Sequence, residues 1–173
     1  MSLSKKRILE LFEELNEKLK KQKIIGELYL VGGAVMCLAF SARESTKDLD
    51  AFFEPKEKIR KIAEEMSEDL DLPKNWLNDA VKGYLGAQSK FDLFLEKDHL
   101  KIFIAHPEYL LAMKCLSFRL GPEFHDENDI RYLLRYLNIE TYDQATKIIE
   151  KYYPLEKFPQ KTLYALEEIL TVS

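Results

Sequence analysis

Cysteine is scarce in this chain: Cys37 and Cys115 are the only two in 173 residues, and each sits inside an apolar stretch. That leaves no disulfide framework and reads as two small buried thiols. Long hydrophobic runs are missing as well. No apolar stretch approaches the roughly twenty residues of a membrane helix, and the basic, polar start is unlike a secretory signal. A cytoplasmic protein without membrane contact is therefore expected. An excess of positive charge is also lacking, because 26 Lys+Arg against 30 Asp+Glu leave a net charge of −4. Such a balance gives no general affinity for nucleic acid. The local basic groups Lys18-Lys20-Lys21-Lys23 and Lys56-Lys58-Arg60-Lys61 read as solvated helix faces. What remains, 46% hydrophobic and 32% charged residues with no long low-complexity segment, is the make-up of a soluble globular chain. Its length suits one domain, with or without a small helical appendage.

Periodicity divides the chain into a mixed half and a helical half. Ile8, Leu11, Phe12, Leu15 and Leu19 recur at helical spacing, and Gly26 breaks the pattern. Leu28–Val31 is a short apolar run suited to a central strand, ended by Gly32-Gly33. Ala34 to Ala42, apolar on nearly every side, reads as a buried helix. Lys47 to Phe53 forms the second strand, and Pro55 starts a helix with Ile59, Ile62, Ala63 and Met66 inward. Leu72 to Gly86 reads as a long loop with a helical turn, pinned by Trp76, Leu77 and Tyr84. Two strands follow, Lys90–Leu95 and Leu100–Ile104, paired antiparallel across a polar turn. After Pro107 the pattern is wholly helical: Glu108–Phe118, stopped by Gly121-Pro122, then a helix starting near Asp126, one with the capping box Thr141/Gln144, and one after Pro159. The fold class expected is α+β, a mixed sheet with flanking helices in residues 1–105 followed by a helical bundle in 106–173.

Chemistry concentrates between Leu28 and Phe53. Strand side chains repeat with period two, so Asp48 and Asp50 point to one face, flanked by the apolar Leu49, Ala51, Phe52 and Phe53. Two carboxylates sharing a face at the end of a buried strand need compensation, which a divalent cation supplies. Mg²⁺ is the natural choice, since it takes one or two carboxylates together with water and phosphate oxygens. Upstream, Gly32-Gly33 lets backbone N–H groups approach an anion, and a following helix would add its positive end. A triphosphate fits such a corner. The same glycine pair also serves as a plain tight turn. A third carboxylate on a neighbouring strand would complete a two-metal site, and Asp92 is the candidate, as metal ligand and general base. Its register is not fixed by the sequence. Lys114 lies in an apolar helix, so its ammonium either snorkels to water or meets an anion. Asp126 and Asp129 suit a helix cap and first turn. The three histidines show neither metal-ligand nor triad spacing.

Gly32-Gly33, some fourteen residues, then Asp48-Leu49-Asp50-Ala51 resembles the nucleotidyltransferase superfamily of DNA polymerase β-like fold. Arg43-x-x-Thr46-Lys47-Asp48-x-Asp50 is similar to small prokaryotic members related to AbiEii-type toxins of toxin–antitoxin systems. So are Pro107-Glu108-Tyr109-Leu110-x-x-Met113-Lys114 and Asp126-x-x-Asp129-Ile130. The resemblance covers about residues 24–137. It implies Mg²⁺-dependent transfer of a nucleoside monophosphate from an NTP to an acceptor hydroxyl. It places Gly32, Gly33 and Lys114 at nucleotide phosphates, and Asp48, Asp50 and Asp92 as the catalytic metal ligands. The acceptor it implies is a tRNA 3′ end, a protein side chain or a small molecule, with a possible antitoxin partner. The alternative is a non-catalytic nucleotide-binding or regulatory module of the same fold.

Overall fold

A computed structural model describes residues 2–79, 88–119 and 124–172. The expected loop anchor Tyr84 and the helix stop Gly121-Pro122 lie outside the described residues. The chain forms two compact units. One comprises the described residues through 79 with Phe91–Ala105, the other 88–90 with 106–172.

In the first unit, strand β1 (Leu3–Ser4) leads into helix α1 (Lys5–Lys21), whose Ser4 cap accepts from the Arg7 N–H. The predicted stripe of Ile8, Leu11, Phe12, Leu15 and Leu19 is fully buried. Strand β2 (Gly26–Val31) leads to helix α2 (Gly33–Leu38), strand β3 (Ser45–Thr46) and strand β4 (Leu49–Glu54). Helix α3 (Lys56–Asp69) buries Ile59, Ile62, Ala63 and Met66 as its periodicity requires. Strands β5 (Leu77–Asn78), β6 (Phe91–Glu96) and β7 (Leu100–Ala105) complete the unit. The larger sheet is mixed, in the order β5-β4-β2-β7-β6. Central β2 runs antiparallel to β4 and parallel to β7, while β1 and β3 form a separate antiparallel pair.

Register sorts the residues of this sheet onto two faces. Leu28, Leu30, Ala51, Phe53 and Ile102 share one face, all buried. Helices α1 and α3 pack there: a Cβ on Gly26 would come within 2.9 Å of Leu19 and 3.1 Å of Ile59. The other face carries Asp50, Phe52, Tyr29 and Phe103, all partly exposed.

The second unit is helical, with α4 (Pro107–Leu116), α5 (Asp126–Tyr136), α6 (Tyr142–Ile149) and α7 (Gln160–Val172). Pro107 sits in the first turn of α4, where its missing N–H costs nothing. The Thr141/Gln144 capping box starts α6 as expected. The fold class is thus α+β, a mixed sheet with flanking helices followed by a helical bundle.

Two local expectations change. Helix α2 ends at Leu38, not Ala42, because Ser41 takes a left-handed conformation (φ 51°) and the Ala42 N–H turns back to the Met36 carbonyl at 2.9 Å. The strand expected over Lys47–Phe53 begins at Leu49, leaving Asp48 immediately ahead of β4. Among the described residues no helix is long and apolar enough to cross a membrane.

Candidate active site

The end of β2 brings the glycine pair to the carboxylate strand. Gly32 follows Val31 with φ 69° and ψ −147°, a conformation that is essentially closed to residues with a side chain. Val31 stands opposite Asp50 in the β2–β4 ladder, so the next residue of β2 passes alongside the Asp50 carboxylate. A Cβ on Gly32 would lie 3.2 Å from Asp50 Oδ2. On Gly33 it would lie 2.5 Å from an Arg43 guanidinium nitrogen and 3.0 Å from Thr46 Oγ1. Gly32 is therefore required by its backbone conformation, whereas a side chain at Gly33 would have to displace the Arg43 guanidinium.

Thr46 is anchored by the β1–β3 pairing, opposite Leu3, and its hydroxyl donates to the Asp48 carbonyl at 3.2 Å. Asp48 is thereby tied to the same corner by its backbone. On the far side of β4, Asn78 stands opposite Asp50. That edge is set by Trp76, which is fully buried: its indole N–H donates to the Ala63 carbonyl at 2.9 Å, and its own carbonyl accepts from the Leu49 N–H at 2.7 Å.

Asp92 does not join this corner. It stands opposite Ile104 on β7, Ile104 opposite Leu30 on β2, and Leu30 opposite Ala51 on β4. Partners across a ladder share a face, so Asp92 belongs to the face of Ala51 and not to that of Asp50. Three strand spacings of about 4.8 Å add a lateral separation of about 14 Å, far beyond the reach of a shared metal ion. The register therefore does not bring the three expected carboxylates together: Asp92 stands apart from Asp50. Consistent with this, the described residues contain no group of three or more His, Cys, Asp or Glu that could hold a metal ion.

Residues 6–157 match the family described as nucleotidyltransferase of unknown function (DUF6036). The chain belongs to that family. No curated protein and no solved structure matches it.

In this nucleotidyltransferase family member, Lys114 is engaged by the chain's own carboxylates. Its ammonium lies 2.7 Å from Asp129 Oδ2 and 3.6 Å from Asp126 Oδ1, with Lys114 only 6% exposed. Arg119, beyond the end of α4, donates to Asp126 through its backbone N–H and Nε, each at 2.9 Å. Burial pushes the Asp126 carboxyl up, but the Arg119 hydrogen bonds and the Lys114 and Arg119 charges outweigh it, holding the group below the ordinary carboxylate range. Two cations and two anions thus close a nearly neutral cluster. The expectation that Asp126 caps α5 is corrected: His125 is the cap residue, and Asp126 is spent on Lys114 and Arg119.

The residues missed as candidates are Arg43, Thr46 and Asn78. Arg43 and Thr46 did carry a signal, their fixed spacing ahead of Asp48-x-Asp50. Asn78 carried none, since a two-residue strand is too short to show a period. Beside Asp50 on its face runs an aromatic row, with Phe52 opposite Tyr29 and Tyr29 opposite Phe103. The Tyr29 and Phe103 rings stack with centroids 4.7 Å apart. The Tyr29 hydroxyl donates to Glu27 at 2.7 Å; that bond and the Glu27 and Glu54 charges push the phenol up to about 12.

Proposed function

We propose that the corner formed by Gly32, Gly33, Asp48 and Asp50 binds a nucleoside triphosphate and transfers its nucleoside monophosphate to an acceptor hydroxyl. The observation that carries the reading is the Asp50 carboxylate seated against a glycine that no other residue could replace. In the transfer, a bond forms between the acceptor oxygen and the α-phosphorus, the bond from the α-phosphorus to the bridging oxygen breaks, and pyrophosphate leaves. Asp48 and Asp50 suit Mg²⁺, which binds through one or two carboxylates and completes its shell with water and substrate phosphates. Bound there, Mg²⁺ would neutralise phosphate charge and favour loss of the acceptor proton. With Asp92 on the other face, the acceptor proton passes to one of the two site carboxylates or to water.

The acceptor follows from charge. Glu27 and Glu54 stand opposite one another on the Asp50 face, and the whole chain carries −4. A polyanionic tRNA end suits such a face less well than a protein side chain or a small molecule. A toxin component with a cognate antitoxin is the finer role suggested by the motif similarity. We assign catalysis to residues 1–105 and treat 106–173 as the accompanying helical region.

A second reading, a non-catalytic nucleotide-binding or regulatory module, is favoured by the lack of a third carboxylate at the corner among the described residues. Titrating Mg²⁺ and each NTP into the wild type, Asp48→Ala and Asp50→Asn, with pyrophosphate release followed, separates the two. Transfer predicts NTP binding in the wild type and pyrophosphate release reduced by at least about 100-fold in both variants, the order of effect for losing a charge-stabilising group. Binding with neither pyrophosphate release nor labelling of any acceptor favours the module. A wild type that binds no NTP refutes both.

A further inference from the structure

We propose that Thr46 positions the carboxylate pair, an inference that rests on the metal–nucleotide reading above: its hydroxyl and the Trp76 carbonyl clamp the one peptide unit that sets Asp48 relative to Asp50. That unit joins Asp48 to Leu49. Its carbonyl accepts the Thr46 hydroxyl at 3.2 Å, and its N–H donates to the Trp76 carbonyl at 2.7 Å. A trans peptide is planar and points its C=O and N–H in opposite directions, so the two bonds grip it from opposite sides. Two soft rotations are thereby held, ψ of Asp48 and φ of Leu49. These are the rotations that swing Asp48 toward or away from the face of Asp50, because the two side chains share a face only while the backbone between them stays extended.

Asp48 has particular need of such a clamp. Asp50 is fixed within β4, opposite Val31 on one side and Asn78 on the other, whereas Asp48 precedes Leu49, the first residue of that strand. Each jaw is itself anchored. Trp76 is fully buried, and its indole N–H donates to the Ala63 carbonyl of α3 at 2.9 Å. Thr46, 8% exposed, is paired with the buried Leu3 across the β1–β3 ladder, and its Oγ1 would lie 3.0 Å from a Cβ on Gly33. The same hydroxyl thus lies against the glycine turn and holds the peptide of Asp48. A Mg²⁺ ion held by two carboxylates at about 2.0–2.1 Å tolerates little error in their separation, so groups that orient such ligands typically contribute 10- to 100-fold in metal affinity or activity.

The test measures binding of each NTP by titration calorimetry, with Mg²⁺ and with EDTA in its place, to the wild type, Thr46→Val, Thr46→Ser and Asp50→Asn, and follows pyrophosphate release in parallel. Valine keeps the branched shape that suits β3 and replaces the hydroxyl by a methyl group; melting followed by circular dichroism checks the fold. Losing one neutral hydrogen bond should lower the melting temperature by only about 2–4 °C. Thr46→Val should lose at least about tenfold of the affinity that Mg²⁺ adds, while its affinity in EDTA stays within about twofold of wild type. Thr46→Ser should restore most of the Mg²⁺ gain. A threonine that only braces β3 predicts a Mg²⁺ gain within about twofold of wild type in folded Thr46→Val, the same loss in Thr46→Ser, or a loss as large in EDTA. Any of these overturns the proposal, even where Asp50→Asn abolishes the gain and the metal–nucleotide reading stands. A wild type that shows the gain but releases no pyrophosphate refutes transfer alone, and the Thr46→Val comparison still decides the clamp. A wild type that binds no NTP, or whose affinity gains nothing from Mg²⁺, overturns the clamp and the metal site together.

Discussion

Replacing Lys114 by methionine is the sharpest perturbation of the second unit. The side chains are of similar length, so the change removes the charge and keeps most of the packing. It leaves Asp129, 3% exposed, and Asp126, 1% exposed, without the ammonium they share, while Arg119 still holds Asp126. Two buried carboxylates then lose the charge that pairs them, and breaking a buried pair by deleting one partner costs about 3–5 kcal/mol. Against a typical total stability of about 5–15 kcal/mol, that is a large share. At about 2–4 °C per kcal/mol for a chain of this size, melting followed by circular dichroism should fall by about 6–20 °C. The double variant Lys114→Met/Asp129→Leu should recover most of this, since a buried pair replaced on both sides by apolar groups is near neutral.

The pH dependence has a definite sign. The Asp126 carboxyl titrates below its ordinary value in the folded chain, so its contribution is complete above the unfolded value and is lost as pH falls through the folded one. Lys114→Met removes one of the charges that hold it down, so acid destabilisation should begin at higher pH than in the wild type. A loss of under about 1 kcal/mol, the worth of an exposed ion pair, would refute the reasoning. Lys114 would then be uncommitted to the two aspartates, and a phosphate contact would again be the better account of it.

Two further outcomes test the ends of elements. Asn16, 4% exposed on α1, donates to Asp98 Oδ1 at 2.8 Å and accepts the His99 N–H at 2.9 Å, clamping the β6–β7 turn. The Asn16 bond, with help from Lys20, lowers the Asp98 carboxyl to about 2, so its NMR titration midpoint should lie near that value and rise in Asn16→Ala. The stabilisation it provides is present above the unfolded value and lost as pH falls toward 2; an unmoved midpoint would show that Asn16 is not the cause. Thr141→Ala should cost about 1 kcal/mol, because it removes the hydroxyl that accepts the Gln144 N–H, whereas Thr141→Ser should cost less. Equal melting of both variants and the wild type would remove the capping box from the account of α6.

What the sequence made legible was set by period and by steric demand. The inner stripes of α1 and α3 were readable because each buries one face for two turns or more. The β6–β7 pair was readable from two apolar runs around a polar turn. Helix α2 was not, because a segment apolar on all sides has no phase to mark its end, and the end is made by a left-handed serine. Strand β5 was invisible for another reason. Its two residues become a strand only through pairing with β4 and the buried Trp76. Asp126 and Asp129 fitted a helix start so well locally that their use by Lys114 and Arg119, decided in three dimensions, left no trace in spacing.

Asp92 shows where local reading ends. A carboxylate between apolar residues on a strand looks the same whether that strand lies next to the D-x-D strand or at the far edge of the sheet. Strand order decides, and here β7, later in the chain, takes the place beside β2 and pushes β6 outward. The parallel β2–β7 ladder then fixes which residues share the Asp50 face: Val31 opposite it, and Phe52, Tyr29 and Phe103 one step along. The glycine corner escapes this uncertainty, because its parts are bound by contact and not by strand order. Gly32 meets Asp50 across one ladder rung, and Gly33 meets Arg43 at the end of a short, braced loop. Contacts of that kind do not depend on the order of the sheet's edge strands, so the proposed transfer is better tested at Asp48 and Asp50 than at a third acid.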